Sequence, residues 1–418
     1  MIGFSNNSSQ SWIPVSNTDV NTLTSGMAYE VMIRGDRSTI LTTNTPALSP
    51  TTLRAQGILT TGNVTLNSVS IPSIDGILND YSFIGNPYWA PVNWETLATN
   101  NLSATYWIWD PTQAGTNNRG AYVSYNSISH TGSAGAVNQY IQPGQAFFVQ
   151  TTGSNPSLGF AETNKAISSA NLTTTFGSGP VLPRVMINLF LTNNTNSADG
   201  AVLVFDNSFS KTVGKEDAVK FNNLDENIAI NNNNTILCID ARPLPVVKDT
   251  VQLSTYNLLS SAYTLKINTE NFSNYTGDIV LLDNYNNQTY PVDNAGTISV
   301  VPYTISADTL SKSKNRFQLV FSNKTIAATV TADSTEKFSV TLSSNPVSDR
   351  LTVYFNAPNS GNTFVRLFNG NGLSVKTIIL GMQQIGQTTI PMYQYSNGIY
   401  FVEVKIGSDT VIKKVIKN

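Results

Sequence analysis

Apolar residues along this chain alternate with polar ones over short runs and almost never recur at the three-to-four spacing of an amphipathic helix. The clearest runs cover 29–33, 63–70, 121–125, 145–150, 185–191, 201–206, 263–267, 278–283 and 316–322. They are rich in β-branched and aromatic side chains, which fit a pleated, half-buried surface. Between them stand the turn formers, 27 Gly and 18 Pro across the chain. Helical turns are expected only briefly, around 93–98 and 215–219. The alternation is most regular at the end of the chain. From Phe338 to Asn418 it predicts seven strands: FSVTLS, RLTVYFN, TFVRLFN, LSVKTIIL, QTTIP, GIYFVEV and TVIKKVIK. Turn signals such as Asn369-Gly370-Asn371-Gly372 and Ser396-Asn397-Gly398 separate them.

Two polar stretches poor in apolar residues divide the chain, one at 165–182 and one at 323–335. The expected organisation is three modules, 1–166, 183–323 and 336–418. The fold class is all-β, with three consecutive β-sandwich-like modules, the last an Ig-like seven-stranded sandwich. The run Asn231-Asn232-Asn233-Asn234 reads as an exposed loop.

Composition narrows the function. Only 12 % of residues are charged and the net charge is −2, so no electrostatic footprint for nucleic acid exists. The charge is uneven: residues 334–418 hold eight Lys/Arg against four Asp/Glu, and the remainder holds 16 against 22. The single cysteine, Cys238, cannot form an intramolecular disulfide and reads as a small buried hydrophobe on a strand. No run reaches the roughly 18 apolar residues of a membrane-spanning helix. The start, Met1-Ile2-Gly3-Phe4, lacks the basic and apolar regions of a signal peptide, and the chain reads as the C-terminal part of a longer precursor.

The terminal module carries a resemblance. Asn345-Pro346, then Leu367-Phe368-Asn369 with Asn371-Gly372, then Gly398-Ile399-Tyr400, then Lys413, Lys414 and Lys417 keep a fixed order to the last residue. This segment resembles the type A C-terminal sorting domain of the type IX (Por) secretion system. The resemblance implies that these residues form a sorting signal read by the secretion machinery of the outer membrane. It further implies passage through the periplasm of a Bacteroidota cell to the surface or the medium, with removal of the domain after export. Segment 323–335 is where a protease would find accessible backbone. Upstream, Trp107-Ile108-Trp109-Asp110-Pro111, Tyr140-Ile141-Gln142-Pro143-Gly144-Gln145 and Ile239-Asp240-Ala241-Arg242-Pro243 are similar to the region preceding that domain in large secreted surface proteins. A structural or adhesin-type stalk is the function this implies.

Chemical candidates are few. One histidine, His130, excludes HExxH proteases and His-rich zinc sites, and its Ser129-His130-Thr131-Gly132 setting reads as a solvated loop. No nucleophile elbow or P-loop occurs, the eight Glu are scattered, and no catalytic residue, metal or cofactor is expected. The tripeptide Arg34-Gly35-Asp36 reads as an ordinary turn. Tryptophans are the exception, four of the five falling between positions 89 and 109. Trp89, Trp94, Trp107, Trp109 and Tyr122 are candidates for stacking on pyranose rings, with Asn86, Asn93, Asp110, Asn117, Asn118 and Asn126 available for sugar hydroxyls. A polysaccharide is thus a candidate partner. The opposing reading is core packing, because Tyr106-Trp107-Ile108-Trp109 alternates and one of its two faces must be buried.

Overall fold

Each of the nine alternating runs contains a strand in the computed structural model. All residues are described except 8, 34, 41, 43–50, 53, 55, 167–181, 193, 247, 273, 274, 276, 323–337 and 344. The described part of the chain is all-β, with helical geometry confined to 3-10 turns at Trp94–Thr96, Glu162–Asn164 and Thr309–Lys312. Both linker stretches fall largely outside the described residues, as do the suggested processing segment and Arg34. Two compact units result, Met1–Thr325 and Ile326–Asn418.

In the first unit, a five-stranded sheet runs in the order Thr131–Gly132, Ala121–Asn126, Leu102–Asp110, Ala146–Thr151, Tyr81–Gly85. A three-stranded sheet of Val64–Asn67, Ser157–Phe160 and Ala98–Asn100 faces it. Tyr106, Ile108, Val123, Phe147 and Val149 from the larger sheet share a core with Leu66, Leu158 and Phe160 from the smaller one. Further along the same unit, an 11-stranded, barrel-like sheet curls around a core of its own. Val185, Ile187 and Leu189 of Arg184–Leu191 meet Leu253, Leu281 and Leu319 there, although they sit far apart in strand order. Strand Asp199–Phe205 is buried along its whole length. Its odd residues Ala201, Leu203 and Phe205 face that core, and Val202 and Val204 face a second cluster with Cys238.

The Asn231–Asn234 run is not a loop. Asn231 and Asn232 are paired strand residues, opposite Ile236 and Thr235. Only Asn233 and Asn234 turn, both at positive φ (49° and 70°), as a two-residue hairpin connection requires. Asn232 is buried and donates to the Lys211 carbonyl at 3.1 Å.

In the second unit, seven predicted segments become five strands: Ser339–Leu342, Arg350–Asn369, Ser374–Pro391, Gly398–Ile406 and Asp409–Lys417. The two long strands each supply two segments. Their register breaks between Asn356 and Gly361, where the chain passes from one layer to the other. One layer pairs 339–342, 350–356 and 385–391; the other pairs 374–383, 361–369, 398–406 and 409–417. Three segments against four make the Ig-like seven-stranded sandwich. Its core joins Val340, Leu351, Val353 and Ile390 to Val365, Leu367, Val402, Val404 and Val415. Gly361 marks the crossing point, since a Cβ there would lie 2.6 Å from the Gly407 nitrogen.

Candidate functional site

The motif residues of the terminal unit have distinct physical jobs. Asn345 is a clamp on the last strand: its amide donates to the Lys414 carbonyl at 2.8 Å, and its Oδ1 accepts from the Ile416 N–H at 2.8 Å. Beyond Pro346, the Val347 N–H donates to Ile416, the Asn418 N–H donates to Val347, and the Val347 side chain enters the core. The motif therefore fastens the C-terminus of the chain to the sandwich. Leu367 is buried while Phe368 faces outward beside Phe401. Asn369 Oδ1 then accepts from the N–H groups of Asn371 and Leu373, and Gly372 turns at φ 80°. In Gly398-Ile399-Tyr400, Tyr400 points inward with its hydroxyl on the Ser396 carbonyl, and Ile399 points out.

The three lysines are not alike. Lys413 and Lys414 are exposed. Lys417, expected to belong to the same basic end, is 8 % exposed and reaches Asn397 Oδ1 at 3.3 Å. Strand alternation turns it inward beside the buried Val415, so its apolar stem is covered.

The aromatic cluster divides along the faces of strand Leu102–Asp110. Tyr106 and Ile108 face the inter-sheet core, where Trp94 packs against Tyr106 and Phe147. Trp107 and Trp109 lie on the opposite face. Phe221, from the later part of the same unit, covers that face. It stacks on Trp107 with centroids 5.0 Å apart and planes at 13°, and makes edge contacts with Tyr81 and Tyr122. The Trp107 indole N–H donates to the Val219 carbonyl at 2.9 Å. Phe4 and Trp12 cover the remainder of the face at Phe148 and Phe83. Trp94 and Trp107 are thus 2 % and 1 % exposed and are closed to a ligand. Tyr122 is partly covered, and burial, with the charge of Glu30 second, pushes its hydroxyl up to about 12. Trp89, 71 % exposed, and Trp109, at 36 %, stay open.

The polar candidates are engaged elsewhere. Asn86 ties Ala90 to Ile141, Asn93 caps the turn at Glu95, and Asp110 accepts from Thr112 and Gln113. Asn117 donates to Asp225, Asn118 occupies a turn at φ 51°, and buried Asn126 bridges Thr105 to Lys215 and Asp217. Beside Trp109 a cleft of ≈ 320 Å³ opens, lined also by Pro111, Tyr140, Gln142 and Gln145.

One cluster was hidden from sequence reasoning. His130, expected in a solvated loop, sits with Nδ1 2.6 Å from Glu95 Oε1, and the Tyr125 hydroxyl donates to the same oxygen at 2.6 Å. The hairpin of Ala121–Asn126 and Thr131–Gly132 brings Tyr125 and His130 together, and Glu95 reaches them from the 3-10 turn Trp94–Thr96. Cys238 is buried, and burial pushes its thiol up. Among the described residues, no group of three or more His, Cys, Asp or Glu is placed to hold a metal ion, and no helix is long and apolar enough to cross a membrane.

An all-β chain ending in a clamped sandwich with these motifs defines a class, the exported proteins that carry a sorting domain at the C-terminus. Residues 344–418 match the family model described as "Secretion system C-terminal sorting domain". The terminal unit is therefore a type IX sorting domain, and the chain is exported to the cell surface or secreted. Residues 3–321 match the family model described as "Domain of unknown function (DUF8693)", and the chain belongs to that family. The search of curated proteins gave no match. Among solved structures the chain is similar to "Crystal structure of dimeric latent PorU from Porphyromonas gingivalis", at 9% identity and a TM-score of 0.17. That match covers 85% of this chain and 34% of the PorU chain, and at that score it carries no argument.

Proposed function

We propose that this chain is a non-enzymatic, adhesin-type structural protein of the cell exterior, delivered across the outer membrane of a Bacteroidota cell by the type IX machinery. One observation carries the reading: the aromatic face that would serve a ligand is filled from within by Phe221, Phe4 and Trp12. The same insertion makes the first unit a continuous packed body, which suits load-bearing at a surface. Buried Asp225 and Glu226 reinforce it by accepting from Asn117 and Thr116 of the preceding sheet region. Purified chain incubated with polysaccharide and peptide substrates should release no product, while its density on cells should set their adhesion to surfaces. Turnover abolished by Glu95→Gln would overturn the reading, because Glu95 is the carboxylate shared by His130 and Tyr125.

The cleft beside Trp109 supports a second reading, a carbohydrate-binding role. Trp109 and Tyr140 supply rings, and Gln142 and Gln145 supply amides, at one open site. Affinity electrophoresis in polysaccharide gels tests it. Retardation that disappears in Trp109→Ala and persists in Trp89→Ala would favour the cleft, and unretarded migration in every gel would remove it.

A further inference from the structure

We propose that Lys220 and Asp199 condense to an intramolecular isopeptide bond, a covalent cross-link between strand Asp199–Phe205 and the segment just after Ala218–Val219. The geometry is that of two reactants held in contact. Lys220 Nζ lies 2.5 Å from Asp199 Oδ1, with side chains 1% and 0% exposed. Both backbones are fixed: Asp199 is paired with Leu189, and the Lys220 N–H donates to the Ile236 carbonyl at 2.9 Å. Reactants so oriented attain effective concentrations on the order of 10⁵–10⁸ M, and the pair is shielded from the water that favours hydrolysis.

As an ion pair, this contact is poorly completed. Another deeply buried pair in the unit, Arg316 with Asp283, is bidentate, and the guanidinium also donates to the carbonyls of Thr304 and Ser311. Among the described residues, the Lys220 ammonium donates to Asp199 alone. An ammonium with most of its donors unmet in a dry core is costly, and a neutral amide removes both charges. Burial, the leading influence on Asp199, raises its carboxyl above the ordinary value and favours the neutral acid.

The reaction balances without an oxidant or cofactor. The Lys220 ammonium passes a proton to Asp199 Oδ1 across the 2.5 Å contact, giving an amine and a carboxylic acid. The amine lone pair attacks Asp199 Cγ, forming the C–N bond while the carbonyl pair moves to Oδ2. The Ile228 N–H, already donating to Oδ2 at 2.7 Å, holds that developing oxyanion. A second proton moves from nitrogen to Oδ1, the Cγ–Oδ1 bond breaks, and water leaves. Ammonium and carboxylate have become an amide and one water. Such a link fits an exported chain whose single cysteine can form no intramolecular disulfide.

Intact mass spectrometry of the full chain under denaturing conditions tests the proposal. The expected mass is the sequence mass less one water. Trypsin should then fail to cut after Lys220 and should release a branched peptide joining it to Asp199. Lys220→Arg and Asp199→Ala chains should each return to full sequence mass. A wild-type chain at full sequence mass, cut normally after Lys220, would overturn the proposal. So would a water loss that persists in Lys220→Arg, which would place it in a cyclic imide at Asp199-Gly200. The wild-type measurement decides the matter even where a variant fails to fold.

Discussion

Replacing Asn345 with Ala should loosen the C-terminal strand without dissolving the sandwich. The side chain makes two hydrogen bonds to that strand, at Lys414 and Ile416, each 2.8 Å long. A typical intramolecular hydrogen bond contributes about 0.5–1.5 kcal/mol net, so the pair contributes about 1–3 kcal/mol. Both bonds lie at an exposed edge, where water replaces the lost partners, which places the cost in the lower half of that range. The core side chains Val347 and Val415 stay in place, and a small domain holds roughly 5–15 kcal/mol, so the unit remains folded. The loss appears as local opening. Hydrogen exchange of the full chain, followed by mass spectrometry over residues 409–418, should speed up by about 5-fold to 30-fold, at 1.4 kcal/mol per tenfold. Those amides of Gly398–Ile406 that pair with Arg350–Asn369, on the side away from the last strand, should change much less. Unaltered exchange in the last strand would refute the clamp. Equal acceleration throughout the unit would refute the claim that the effect is local.

Other consequences follow from single contacts. Phe221→Ala should shift tryptophan emission to the red as Trp107 meets water, and should destabilise the first unit toward the lower end of about 3–5 kcal/mol, because Phe221 is only half-buried. Lys413→Gln with Lys414→Gln should leave thermal melting unchanged within about 0.5 kcal/mol, whereas Lys417→Gln should lower it, since only Lys417 is covered. Burial, opposed by two backbone N–H donors and assisted by the charges of Asp240 and Glu216, raises the Asp217 carboxyl from 3.8 to about 7. The folded state therefore holds a proton that the unfolded chain has released. This contribution is fully present below 3.8 and is lost as pH rises through about 7, at no more than about 1.4 kcal/mol per pH unit. Urea midpoints of the wild type should fall across that window more steeply than those of Asp217→Asn.

The terminal unit was the most legible part of the chain because its information is local. Alternation and turn residues placed seven segments, and the structure uses all of them. Fusion of four segments into two bent strands was not legible, since the Gly361 crossing depends on its approach to Gly407 in another hairpin. Lys417 was misjudged with its two neighbours for a related reason: alternation alone says which residues share a face, and packing decides which face is covered. In the first unit, the pattern at 106–109 separated two faces correctly in register. It gave no sign that Phe221, more than a hundred positions away, would occupy one of them. Likewise His130 stands in a turn and Glu95 in a 3-10 turn that only the folded chain brings together, and neither residue has a neighbour in sequence that announces the contact. The Asn231–Asn234 run misled because polarity was read as exposure, while Asn232 satisfies its amide inside the unit.

The export claim is tested most directly by following a chain that lacks residues 338–418 in the cell that produces it. Surface labelling and fractionation would report where the shortened protein stops, with the intact chain as control. The account predicts that the shortened chain accumulates in the periplasm, while the intact chain reaches the surface or the medium. Shortened protein found outside the cell in the same proportion as the intact chain would contradict it.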